Sequence, residues 1–178
     1  IVIAATLVQQ IQTIVARNIK ATDPIVVSIT QIHAGTAYNI IPETATLAGT
    51  VRYFNRKTAA LVTQRMHALC DGAAAAYGVE IRLDMQNAFD VLENDLALSE
   101  AVMDAARGMV GEAAVLRTER VMGSEDLADM LQIVPGVQFT VGHGIGRPLH
   151  NPGFTFDDAT LPIGAAVYAR MVETRGGV

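Results

Sequence analysis

The tripeptide His150-Asn151-Pro152 is the part of this sequence whose residue types point most directly to chemistry. The imidazole lies in a glycine-rich loop, and Pro152 restricts the backbone that follows it. Asp157 and Asp158 come soon after, and a carboxylate that orients one ring nitrogen leaves the other available to a metal ion. One histidine never completes a metal site, so at least three other ligands must come from elsewhere. Taken alone, His150 is better explained as a loop histidine hydrogen-bonded to its own structure, and it is the surrounding residues that favour the metal.

A second group of candidates occupies residues 122–126. Ser124 is predicted to cap a helix over residues 125–132, in which acidic residues of the first turn suit the helix dipole. That structural interpretation explains the whole run. The functional alternative is that Gly123, Ser124 and Glu125 present this helix N-terminus to a substrate or to the surroundings of a metal ion.

The third candidate is a pair, Asn39 and Arg52, which suits a carboxylate ligand. Asn39 lies in the loop between two predicted strands, and Arg52 lies on the polar face of the second strand. We expect the hairpin to bring the amide and the guanidinium together, where a fork-like contact contributes about 1.5–3 kcal/mol. The alternative is a turn asparagine and a solvated strand arginine.

The elements that position these residues fall into two parts. The first part begins with an amphipathic helix, because Ile3, Leu7, Ile11 and Ile14 recur at helical spacing. Its predicted elements are a helix over 2–18, strands over 25–33 and 44–54, a helix capped by Asn55 and ended by Gly78, and a strand over 79–88. This order is that of a βαββαβ sandwich without its first strand.

The second part alternates helices and short strands, which is typical of an α/β layer fold. Its predicted elements are a helix over 95–109, a strand near 113–118, the helix over 125–132, a strand over 137–141, and a helix from Pro162 to about 173. Proline in the first turn of the last helix fits the preference of that position.

Composition narrows the class of partner. The chain of 178 residues is 51% hydrophobic and 17% charged, so it can bury a core, and its net charge of −5 argues against nucleic acid. No signal peptide or membrane span is predicted. The lone Cys70 lies in an alanine-rich helix and suits a buried thiol in a reducing compartment, so a cytoplasmic location is expected. The start at Ile1, inside a helical pattern, suggests a fragment.

Four stretches together resemble the C-terminal half of the M20 metallopeptidases. The resemblance is to the amidohydrolase branch, which contains hippurate hydrolases, N-acyl-amino-acid amidohydrolases and indole-acetyl-amino-acid hydrolases. The stretches are IHAGTAYNIIP at 32–42, GTVRYF at 49–54, MGSEDL at 122–127 and HNPGFTFDDATLPIGAAVYA at 150–169. They follow the order of the family, and the resemblance covers the whole chain.

The resemblance implies an enzyme of two domains. Residues 1–90 correspond to most of a lid domain, a ferredoxin-like βαββαβ sandwich through which a homodimer forms. Residues 91–178 correspond to the C-terminal part of a zinc-peptidase-like α/β catalytic domain. The complete enzyme is expected to hold two divalent metal ions, which are zinc, manganese, nickel or cobalt.

The resemblance also implies roles for the candidate residues. His150 corresponds to a ligand of one metal ion, Asn39 and Arg52 to residues that hold the carboxylate of the substrate, and Gly123, Ser124 and Glu125 to the active-site loop. The implied reaction is hydrolysis of a small N-acyl amino acid, such as a hippurate-like substrate, by water activated at the two metal ions. The other ligands and the general base lie upstream in the family, so this chain alone is expected to be inactive.

Two departures from the family pattern lie beside the implied site. Leu127 stands in place of the usual phenylalanine, and Thr155 in place of the usual aspartate, which leaves substrate preference open. The rival interpretation is a non-catalytic, dimerising α+β module, or a protein that binds acyl-amino acids without cleaving them.

Overall fold

The chain divides into two compact units, Ile1–Val91 and Leu92–Val178. The structure is a computed structural model that describes residues 1–176. Within that range, none of the helices combines the length and the apolar character that a bilayer span requires. The identification of the two units as a lid domain and part of a catalytic domain stays a prediction.

The first unit contains two helices and a β-hairpin: α1 (Val2–Asn18), β1 (Ile25–Ala34), β2 (Ala45–Tyr53) and α2 (Arg56–Tyr77). Local signals set both ends of α2, as predicted. The side-chain oxygen of Asn55 accepts from the backbone N–H of Lys57 at 2.9 Å. At the other end, Gly78 adopts φ 64° and donates to the carbonyl of Ala74, a left-handed termination that favours glycine.

The strands β1 and β2 pair in antiparallel register, from Ile25 opposite Tyr53 to Ala34 opposite Ala45. The register shifts between Ile29 and Gln31, which marks a β-bulge. A Cβ atom at Gly49 would lie 2.1 Å from the carbonyl oxygen of Ser28, so only glycine fits there. The core lies between the hairpin and the two helices, and its buried members are Leu7, Ile11, Ile14, Val27, Val62, Met66, Cys70 and Ala73.

The predicted third strand over 79–88 is wrong as a hydrogen-bonded strand. No ladder forms there, because the sheet within residues 1–176 contains only β1 and β2. The segment nevertheless packs like a strand, since alternate residues Ile81 and Leu83 contact the core. A strand needs a neighbour at about 4.8 Å to complete its backbone hydrogen bonds, and the described residues supply none.

The second unit contains three helices: α3 (Leu96–Val110), α4 (Leu127–Met130) and α5 (Leu161–Arg175). The carboxylate of Asp95 caps α3 by accepting from the N–H of Leu98 at 2.8 Å. Proline lies in the first turn of α5, as predicted.

The strands predicted near 113–118 and over 137–141 are wrong, because no β-strand forms among residues 92–176. The first region instead begins with a 3₁₀ turn, Glu112–Ala114. The second packs on α5, where the Phe139 and Tyr168 ring centroids lie 5.1 Å apart. Both segments lack a neighbouring strand within this part of the chain, so their apolar patterns have no sheet to join. The mixed α/β class holds, but the predicted layers of the second unit do not form within this chain.

Candidate functional site

The backbone of His150 has an unusual conformation. Its φ of 66° is the only positive value at a non-glycine residue in residues 1–176. For a residue with a Cβ this region costs about 1–3 kcal/mol, and it persists only where the surrounding structure enforces it. Here a tight turn enforces it: Asn151 N–H donates to the carbonyl of Pro148 at 3.2 Å, and Phe154 N–H to that of Asn151 at 2.8 Å. The exposed imidazole is therefore carried by a strained, well-braced turn.

Two contacts brace the same turn from outside it. The ring of His143 meets that of Phe154 edge to face, with centroids 5.4 Å apart and an interplanar angle of 86°. The side chain of Arg147 lies so close to Gly153 that a Cβ there would be 3.0 Å from the arginine Cδ. Neither His143 nor Arg147 could be predicted to make these contacts, because nothing in the sequence of the glycine-rich loop marks which residues fold back onto the turn.

The acidic neighbours of His150 have a structural role of their own. Asp157 was predicted to be able to orient the imidazole, yet one of its carboxylate oxygens accepts from the N–H of Ala159 at 2.9 Å. This bond caps the 3₁₀ turn Asp158–Thr160, which leads into α5. The orienting role therefore stays a prediction, and the cap explains why an aspartate lies at position 157.

The predicted helix over 125–132 is shorter than expected. Helix α4 is a single turn, and Asp126, in place of Ser124, occupies the N-cap position, without a side-chain cap bond. Gly123, Ser124 and Glu125 are exposed, whereas Ala128 is fully buried and anchors the turn. These three residues lie in the same unit as His150. Their contact with a substrate stays a prediction.

Asn39 and Arg52 lie in the first unit, and the hairpin register separates them. Arg52 is opposite Val26, seven residues along β2 from Ala45, where the loop ends and the strand begins. At about 3.3 Å per residue, the Cα of Arg52 is about 23 Å from that end of the hairpin. Shared contact with one carboxylate therefore requires loop 35–44 to fold back along the strands, and the joint role stays a prediction.

The residues that the structure describes, 1–176, offer few ligands for the metal site implied by the resemblance. Among residues 1–176, no three histidine, cysteine, aspartate or glutamate side chains are grouped so as to hold a metal ion. Burial, with a smaller contribution from Asp71, raises the pKa of the Cys70 thiol. That thiol is buried in α2 and suits the predicted structural role. His150 can contribute at most one ligand.

A family model and curated relatives both match this chain over almost its whole length. Residues 4–174 match the model of peptidase family M20/M25/M40. An N-acetyldiaminopimelate deacetylase of Streptococcus sanguinis (strain SK36) is 34% identical over 174 residues, which cover 97% of this chain and 46% of that protein. An N-acetylcysteine deacetylase of Bacillus subtilis (strain 168) is 31% identical over 168 residues, covering 94% of this chain and 44% of that protein.

A solved structure supports the fold of the chain. The crystal structure of a dinuclear metal-binding peptidase of family M20 from Bacillus subtilis matches with a TM-score of 0.79 and 27% identity. The match covers 96% of this chain and 44% of that one. The chain therefore spans less than half the length of the proteins to which it is similar.

Proposed function

The chain belongs to peptidase family M20/M25/M40, and from this premise we propose that it is part of an amidohydrolase that cleaves the amide bond of N-acyl amino acids. Two similar proteins are named deacetylases, one for N-acetyldiaminopimelate and one for N-acetylcysteine. Both names describe an amino acid whose nitrogen carries a small acyl group. This shared chemistry supports the substrate class, and the proposal extends it to benzoyl groups such as that of hippurate.

The observation that carries the proposal is the backbone of His150. A histidine at φ 66° gains no stability from its own conformation, so a structural role alone accounts poorly for it. The turn fixes the backbone that carries an exposed imidazole, and an exposed imidazole on a fixed backbone suits a metal ligand. We assign His150 as the one metal ligand that this chain contributes.

The proposed enzyme holds two divalent metal ions, and most of their ligands lie outside this chain. The similar structure from Bacillus subtilis is described as a dinuclear metal-binding peptidase, which supports the number of ions. The described residues do not fit a complete centre by themselves, since His150 has no second and third ligand grouped with it. The general base likewise has to come from the remainder of the enzyme.

The substrate carboxylate is assigned to Asn39 and Arg52. Both side chains are exposed. A guanidinium donates charge-assisted hydrogen bonds to a carboxylate, and the side-chain amide supplies a further neutral N–H donor. Gly123, Ser124 and Glu125, which are exposed in the second unit, are proposed as further substrate-binding residues. These groups position the substrate and do not break its bond.

The first unit is proposed to be the lid domain, a βαββαβ sandwich whose first strand comes from outside this chain. In that sandwich the first strand lies between the third and the fourth. In this chain, β2 and segment 79–88 would lie on either side of the position of that missing strand. Both pack apolar residues against the same core: Leu47 and Val51 from β2, and Ile81 and Leu83 from the segment. An added strand would complete the backbone hydrogen bonds of both.

The same unit is proposed to form a homodimer. Strand β1 pairs with β2 on one side only within residues 1–176, so its outer edge is open. Val26 and Ile32 on this strand are 42% and 51% exposed. Open edges with exposed apolar residues favour pairing with another strand.

The proposal is tested on the full-length enzyme by assaying cleavage of N-acetyl and N-benzoyl amino acids together with metal content. Replacing His150 with alanine removes a ligand, so we expect kcat/KM to fall by at least about 100-fold and metal content to fall with it. His67, an exposed histidine in the middle of α2, provides the matched control. His67→Ala should leave both quantities unchanged.

Two outcomes would contradict the proposal. Unchanged metal content and rate in His150→Ala would remove the ligand assignment. A full-length protein that binds no metal and cleaves no N-acyl amino acid would refute the hydrolase and favour the binding module.

A further inference from the structure

Tyr38 and Asn39 are the two corner residues of one turn at the tip of the hairpin loop. The turn is defined by the N–H of Ile40, which donates to the carbonyl of Ala37 at 3.4 Å. The loop is narrow at its base, where Pro42 Cγ lies 3.7 Å from the position that a Cβ of Gly35 would occupy. Gly35 has φ 77°, which favours glycine and permits this approach. The loop therefore presents two adjacent side chains together.

The tip of this loop is apolar and exposed. Tyr38 is 105% exposed, and Ile40 and Ile41 are 66% and 92% exposed. Single exposed apolar residues are ordinary, but three among four consecutive positions form a patch of the kind that marks a contact surface. Asn39, the polar member of the four, is the residue assigned above to the substrate carboxylate.

We propose that Tyr38 is a specificity-determining residue that contacts the amino-acid side chain of the substrate. This inference rests on the proposed function, in which Asn39 holds the carboxylate. Adjacent Cα atoms are about 3.8 Å apart, so a group held by Asn39 brings its nearest substituents within reach of Tyr38. The carboxylate and the side chain of an amino acid branch from the same carbon, whereas the acyl group lies beyond the nitrogen.

The chemistry of the tyrosine side chain indicates which amino-acid side chains of the substrate it would favour. Its ring offers a flat apolar face for an aliphatic or aromatic side chain, with a hydroxyl at the far end that stays hydrated or bonds to a polar group. Glycine derivatives would have nothing to place against this face. The structure therefore favours N-acyl derivatives of apolar amino acids over those of glycine.

The test compares substrates in the full-length enzyme carrying Tyr38→Ala. We expect kcat/KM for N-acetylphenylalanine to fall about tenfold, and that for N-acetylglycine by less than about twofold. Tyr38→Phe keeps the ring and should retain the preference. Tyr77, which is 47% exposed and lies outside the loop, supplies the control. Tyr77→Ala should leave the ratio of kcat/KM for N-acetylphenylalanine to that for N-acetylglycine unchanged. Since Tyr38 is fully exposed, its removal leaves the core of the unit intact.

Several results would overturn the inference while the proposed function stands. Equal losses on the phenylalanine and glycine derivatives would show that Tyr38 does not contact the side chain. An altered preference between N-acetylglycine and N-benzoylglycine would place it beside the acyl group instead. A changed native mass of Tyr38→Ala would show that the tip docks on another subunit. If the unaltered enzyme cleaves none of these substrates, the proposed function itself fails and the inference fails with it.

Discussion

The two units of this chain are stabilised in different ways. The first closes an apolar core from α1, α2 and the hairpin, in which Ile14 and Val62 are fully buried. The second buries only small or medium side chains among its described residues: Ala105, Ala128 and Val167. Burying a large aliphatic side chain contributes about 1.5–3 kcal/mol, and alanine contributes much less. The second unit therefore draws less stability from its own apolar contacts.

In the second unit, polar contacts join the start of α3 to the segment around Gln138. The side-chain amide of Asn94 bonds twice to the backbone of Gln138, donating to its carbonyl at 2.8 Å and accepting from its N–H at 2.9 Å. The N–H of Asp95 donates to the carbonyl of Gly136 at 3.0 Å. An asparagine side chain thus makes, at the start of α3, the contacts that a neighbouring strand would make. We call Asn94 and its two bonds the Asn94 latch.

The difference shows that only the first unit closes an apolar core from its own described residues. The core of the first unit is built from elements that follow one another in sequence, so it closes almost without outside help. The second unit has helices with an apolar face but no strand in residues 92–176 for them to cover. If the proposed enzyme is correct, that sheet comes from the remainder of the protein.

The substitution with the largest expected effect tests whether the first unit unfolds independently of the second. Ile14→Ala leaves a cavity in a closed core, so it should lower the exchange protection of α1 and α2 by about 2–5 kcal/mol. Native-state hydrogen exchange measures this separately for each helix. Ile41, an isoleucine of the same unit that is 92% exposed, gives the control, and Ile41→Ala should cost less than about 0.5 kcal/mol. Equal loss in α3 and α5 would show that the units do not unfold separately.

The next effect tests the Asn94 latch. Asn94→Ala leaves two backbone groups of Gln138 without their partner, so the free energy of local opening should fall by about 1–3 kcal/mol. Hydrogen exchange at Gln138 and in the first turn of α3 measures it. Asn87 provides a contrast in the first unit, because its exposed side chain accepts one bond, from the Tyr53 hydroxyl at 3.1 Å. If Asn87→Ala costs as much as Asn94→Ala, the proposed difference between the units is wrong.

The boundaries of α2, α3 and α5 could be predicted from the sequence because their causes are local, whereas the predicted cap of α4, Ser124, was wrong. Asn55, Gly78, Asp95 and Pro162 each act within one turn of their own position, and each lies where the pattern placed it. The hairpin was predictable for the same reason, since β1 and β2 are neighbours in sequence. Four family motifs in order were enough to identify the family.

Whether the other predicted strands pair could not be predicted, because pairing beyond a hairpin depends on residues far away in sequence. Segment 79–88 has the alternation of a strand, and only the coordinates show that nothing in the described chain bonds to it. The same is true of 113–118 and 137–141. At the site, the sequence placed His150 in a loop, and its role as a metal ligand stays a prediction. Its left-handed backbone and the contact between His143 and Phe154 are properties of the folded turn.

The smallest expected effect concerns a polar contact between the first turn of α2 and residues 89–91, which follow segment 79–88. We call residues 79–91 together the extended segment 79–91. Arg56 Nε donates to a carboxylate oxygen of Asp90 at 2.7 Å. This bond, aided by the N–H of Val91, lowers the pKa of Asp90 below its usual value of about 3.9. A lowered pKa in the folded state contributes stability above the unfolded value, and that stability is lost as the pH falls through the folded one.

We therefore expect Asp90→Asn to weaken the first unit by less than about 1 kcal/mol at neutral pH, because the arginine side chain is 51% exposed and solvent screens the pair. The same substitution should flatten the acid side of the stability curve, below about pH 4, since no carboxylate at position 90 remains to be protonated. Urea unfolding followed on α2 from pH 7 down to pH 3 measures both. Asp104→Asn, which breaks an exposed pair with Arg107 in the second unit, should leave the curve of α2 unchanged. Identical acid dependence in Asp90→Asn and the unaltered protein would mean that the apolar core alone holds the extended segment 79–91 in place.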